Sequence, residues 1–117
     1  MTNSRRTIGN WYSEDGDADA GPIAIYRLSA NDNSVVERLF PGQKKEMVTM
    51  YFLNDGELTL THFCALSNQP MMVAEPGKAG EIWFRFKGIT NLGDRNNQHM
   101  HEHCLQFHED PNRMDAT

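Results

Sequence analysis

Apolar and polar residues alternate with a period of two along most of this chain, and turn-forming residues interrupt the alternation about every eight to twelve positions. Successive side chains of a strand point to opposite faces, so this pattern belongs to antiparallel strands joined by short turns rather than to βαβ units. Strands are predicted near 7–14, 21–28, 34–40, 46–53, 57–65, 70–75, 80–88, 99–108 and 112–117. The clearest hairpin is EMVTMYFLNDGELTLTHFCA, in which Asn54-Asp55-Gly56 supplies the positive-φ position between two β-rich runs. Pro76-Gly77-Lys78-Ala79-Gly80 makes the next tight connection, into a run where Ile82, Phe84 and Phe86 alternate with Glu81, Trp83, Arg85 and Lys87. One face of that strand belongs to a core and the other to solvent, with Trp83 outward beside Arg85. No stretch of a dozen residues joins apolar spacing of three and four to a cap, so almost no helix is expected beyond a single turn near 88–97.

Many antiparallel strands with short connections must be closed or covered, because open edges invite pairing with other chains. A sandwich or a small up-and-down barrel satisfies that demand. The strand-like ending at Thr117 leaves an edge, and a homodimer is the expected way of covering it.

Composition narrows the function classes. A chain of 117 residues with 38% hydrophobic residues and 9 Gly is one ordinary globular domain spanning 1–117. Its 11 Lys and Arg against 16 Asp and Glu give a net charge of −5, and no basic cluster exceeds a pair, which makes nucleic acid and anionic membrane poor partners. Cys64 and Cys104 are too few for a disulfide scaffold, and no window is apolar enough for a membrane helix. Ser4-Arg5-Arg6 has the look of an export signal, but the residues that follow it are polar and acidic, so a cytoplasmic protein with reduced thiols is expected. Glu14, Asp15, Asp17 and Asp19 lack calcium-loop spacing and read as a solvated loop.

Ile8-Gly9-Asn10-Trp11-Tyr12 resembles the G-x-W signature of lipocalin-like, calycin-type barrels, in which the Trp plugs the closed end. Thr61-His62-Phe63-Cys64, Asn68-Gln69-Pro70 and His99-Met100-His101, in that order, resemble elements of a family of small bacterial lipocalin-like proteins. The similarity covers most of residues 45–117 and little of the first forty. It implies an antiparallel β-barrel with a lumen, and no particular activity. Phe63 stands where that family has Tyr, and the chain stops before the further strands such barrels have, so closure of the barrel is not implied.

Strand parity singles out a set of side chains. Leu58, Leu60, His62 and Cys64 share one face of their strand, and His99, His101, His103, Leu105 and Phe107 share one face of another. If both apolar rows face the lumen, His62, Cys64, His99, His101 and His103 gather on one interior wall as polar anchors for a ligand, with Cys104 and His108 on the opposite parity. Several imidazoles and a thiol are also zinc-type ligands, so a metal site is the alternative chemistry. Each residue has a plain structural reading as well: His62 as a core histidine bonded to the backbone, His103 at a strand mouth in water, Cys64 as a small buried hydrophobe. The spacing Gly93-x5-His99-x-His101 is similar to the opening of the cupin metal motif, but that motif needs a Glu where Leu105 or Gln106 stands. No Gly-x-Ser-x-Gly elbow or phosphate-cradling glycine loop is present.

The leading expectation is therefore a non-enzymatic carrier or sensor that holds a small apolar or amphipathic molecule in its lumen. A metal-binding protein or metal-dependent enzyme built on the same histidines is one alternative. The other is an interaction module whose barrel is filled by its own side chains, with Met47, Met50, Met71 and Met72 among them. The cofactor, if any, and the identity of a metal are not legible.

Overall fold

The computed structural model describes residues 8–13, 21–94, 99–108 and 113–116. The Arg5-Arg6 pair, the acidic run from Glu14 to Asp19 and the stretch 95–98 lie outside the described residues. Nine strands carry the fold: β1 Gly9–Trp11, β2 Ala24–Ser29, β3 Ser34–Leu39, β4 Met47–Asn54, β5 Glu57–Phe63, β6 Gln69–Pro76, β7 Glu81–Thr90, β8 Glu102–Phe107 and β9 Met114–Ala116. Each pairs antiparallel with its successor, so one sheet runs in the order β1 to β9, an up-and-down meander with three-residue strands at both edges. Among the described residues there is no helix, and hence none long and apolar enough to cross a membrane. The expected turn near 88–97 is strand as far as Thr90 and non-helical from there to Asp94.

Local chemistry explains the register. Asn54 pairs with Glu57 across a two-residue loop in which Asp55 (φ 50°) and Gly56 (φ 87°) both take positive φ, the conformation whose twist matches that of the flanking strands. Between β6 and β7 the register slips at Met71/Met72, where Met71 faces Gly88 and Met72 faces Phe86, leaving Lys87 as the extra residue of a bulge. A bulge bends its strand and adds local twist, which helps the sheet curl. The curl is deep enough that Trp11 and Ala24 from one end of the sheet line the same cavity as His103 and Met114 from the other. The result is a half-barrel.

Alternation fills its concave side. Ala24, Tyr26, Val35, Tyr51, Leu60, Met72, Phe84, Leu105 and Phe107 form the buried cluster. Leu60, Met72 and Phe84 are fully buried, each contributing roughly 1.5–3 kcal/mol by leaving water. Tyr51 meets Phe84 edge-on at 5.7 Å between ring centres. Met72 faces in while Met71 faces out, as parity requires. Trp11, expected to plug a closed end, is half-buried against the core. Trp83 is also half-buried, on the outer parity, with the Arg85 guanidinium 4.9 Å from its ring centre.

Two glycines, Gly80 just before β7 and Gly88 within it, separate backbone strain from mere smallness. Gly80 has φ 81°, and a Cβ there would sit 2.8 Å from the carbonyl oxygen of Phe107, whose own N–H donates to the Gly80 carbonyl at 2.7 Å. Gly88 has open space around it. Gly80→Ala is expected to cost about 1–3 kcal/mol in urea unfolding. Gly88→Ala should be neutral or slightly stabilising.

Candidate functional site

The register of β2 to β5 lines up four polar residues across adjacent strands. Tyr26 faces Glu37, Glu37 faces Thr49, and Thr49 faces His62, all on the concave side. The next row along the same strands is apolar: Leu28, Val35, Tyr51, Leu60 and Met72. A polar stripe is thus set into an apolar wall by pairing alone.

Hydrogen bonds make the stripe tolerable. The Tyr26 hydroxyl donates to Oε2 of Glu37 at 2.6 Å, and the Tyr51 hydroxyl, reaching over from the neighbouring row, donates to the same oxygen at 3.1 Å. Thr49 Oγ1 and His62 Nδ1 share a hydrogen bond of 2.6 Å whose direction depends on the imidazole tautomer. Glu37 is only 3% exposed and His62 only 4%. Burial, and then the Glu37 charge, push both tyrosine hydroxyls well above the ordinary phenol range. Burial also holds His62 below the ordinary imidazole value; Glu37 pulls it upward, His103 pushes it further down, and burial dominates.

The stripe borders a cavity of about 430 Å3. Leu39, Met47, Leu60, Met100 and Met114 make its apolar walls, and Tyr26, Glu37, Thr49, Tyr51, His62 and His103 its polar part. Tyr12 and Ile23, which also line it, are exposed and mark where it meets solvent.

Of the residues that parity placed on one interior wall, the structure brings His62 and His103 to the cavity. His103 is on β8 with its ring 6.1 Å from that of Phe84. His99 and His101 do not line it: β8 begins at Glu102, and a single backbone hydrogen bond, from the Phe86 N–H to the His101 carbonyl at 3.1 Å, carries the pairing one residue further, so His101 lies beside Phe86. The His101 ring stacks on Phe86 at 4.6 Å, His99 lies 5.3 Å from the same ring, and Met100 is the member of that segment that lines the cavity. Cys64 is one residue past the end of β5, in a turn where its N–H donates to the Asn68 carbonyl at 3.0 Å and Sγ accepts from the N–H of Leu66 at 3.5 Å. It does not line the cavity. Among the described residues, no three His, Cys, Asp or Glu side chains lie close enough to hold a metal ion.

Glu37 is the residue that sequence reasoning passed over. Its parity with Val35 and Leu39 was the available signal, blurred because Val36 makes the opposite face of the same strand equally plausible as core. No family model matches this chain, and no curated protein or solved structure matches it either.

The buried groups fix the pH profile of stability. Below about pH 6.5 an unfolded imidazole binds a proton that folded His62 resists, so stability should fall as the pH drops from there. Above about pH 10 unfolded phenols ionise while Tyr26 and Tyr51 resist, so stability should fall again. Urea midpoints across this range should trace a plateau with both arms; His62→Gln should shallow the acid arm and Tyr26→Phe the alkaline one. A midpoint that rises on acidification would contradict the burial of a neutral His62.

Proposed function

We propose that this protein is a carrier or sensor that binds a small apolar or amphipathic molecule in the lumen of its half-barrel. The observation that carries the reading is the cavity itself: about 430 Å3, walled by apolar side chains, with a few polar groups in its lining. Ligand sites are commonly of this kind, roughly 300–1,000 Å3, mostly apolar and with few orienting polar groups. Empty volume on that scale argues against a barrel packed solid with its own side chains. The anchors in this reading are His62 and His103 from the expected set, joined by Glu37, Tyr26 and Tyr51. The spacing of the histidines gives the metal-dependent alternative no comparable support.

The resemblance to lipocalin-like barrels agrees with this reading, since those barrels also enclose a lumen. A cytoplasmic setting fits the free thiols of Cys64 and Cys104.

Binding of the uncharged fluorophore N-phenyl-1-naphthylamine tests the proposal. Its emission should rise and saturate with the wild-type protein. Ala24→Phe, which fills the lumen from β2, should weaken that binding at least about tenfold while circular dichroism stays that of a β-protein. Binding unaffected by Ala24→Phe would place the probe on the outer surface and refute the lumen site.

A further inference from the structure

Among the described residues that line the lumen there is one acidic side chain, Glu37, and no Lys or Arg. Oε2 of Glu37 accepts both tyrosine hydroxyls, whereas Oε1 has no hydrogen-bond partner among the described residues. Arg38 pairs with Glu46, Arg85 with Glu75 and Glu102, and His108 with Asp115, so none of these ion pairs includes Glu37. A carboxylate removed from water without a cation is costly, even when hydroxyls donate to it. Burial disfavours the charged form of His62, whose Nδ1 is engaged by Thr49 Oγ1 at 2.6 Å.

A ligand can supply the missing charge. We infer that the lumen selects an organic amine, a cationic amphiphile whose ammonium group donates to Oε1 of Glu37 while its hydrocarbon body lies against Leu39, Met47, Leu60 and Met100. Trp11, Tyr26 and Tyr51 line the same space, and aromatic rings attract a cation that has left water, whereas the Phe40 ring already carries the Lys45 ammonium 4.2 Å from its centre. The net charge of −5 draws cations toward the protein and repels anions. An amphiphile with a carboxylate head beside Glu37 would set two like charges together in the cavity, so the site discriminates against fatty acids by repulsion as well as by lost attraction.

The inference rests on the lumen reading above, and competition separates the two. Decylamine, decanol and decanoate are matched in chain length and differ in the head group. Each is titrated at pH 7.5 against N-phenyl-1-naphthylamine bound to the wild-type protein. Decylamine should displace the probe at a concentration at least about tenfold below that of decanol, with decanoate the weakest of the three. In Glu37→Gln the amine should fall to the level of decanol while probe and decanol binding persist. Equal displacement by all three, or an amine preference that survives Glu37→Gln, overturns the selectivity and leaves the lumen site standing. A wild-type protein that does not bind the probe overturns both. The wild-type ranking decides the matter by itself if Glu37→Gln does not fold.

Discussion

The carboxylate of Glu37 stands in the wall of an apolar cavity, and the cross-strand register of β2 to β5 is what holds it there. Tyr26 on one neighbouring strand and Tyr51, one row along on the other, converge on a single carboxylate oxygen. A slip of one residue in either pairing would turn Glu37 to solvent or remove its donors, because the side-chain period is two. The two-residue Asp55-Gly56 turn fixes the β4–β5 pairing, and that pairing in turn sets His62 against Thr49. Local turn chemistry at one end of the half-barrel therefore decides which polar groups meet some residues away.

The same arrangement joins stability to binding. Groups that face a lumen rather than a packed core leave part of their hydrogen-bonding capacity unused, and here the unused capacity belongs to a carboxylate. Packing the space with further side chains would strengthen the core but abolish the cavity. The structure instead fills only the middle of the concave face, around Leu60, Met72 and Phe84, and leaves the region between β1–β4 and β8–β9 open. A ligand that completes the unfilled part would stabilise the folded chain by mass action.

Most of the architecture was legible from alternation. All nine strands lie close to where the two-residue period puts them, with Gly, Pro, Asn or Asp in the connections, although positive φ also falls on Ala30, Phe40 and Ser67. The placement of His62 on the concave face follows from the same rule, with Leu58 and Leu60 as its neighbours. His99 and His101 mark where the rule fades: they lie before β8, tied to β7 by the hydrogen bond between the Phe86 N–H and the His101 carbonyl, and Phe86 rather than the lumen receives their rings. Cys64 illustrates the same limit at the end of β5. Glu37 was hidden for a different reason. Strand β3 has apolar residues on both parities, and choosing between them requires knowing that Tyr26 and Thr49 flank it, which is a fact of register between strands and not of composition within one.

The most direct measurement of the central claim is methyl NMR of protein labelled at its 7 methionines. Met47, Met100 and Met114 line the lumen, whereas Met50 and Met71 lie on the outer parity of β4 and β6. Titration with decylamine should shift the methyl signals of Met47, Met100 and Met114 together, with a common saturation, and leave those of Met50 and Met71 in place. Shifts led by Met71, or no saturable shift at the three lumen methionines, would contradict a ligand site inside the half-barrel.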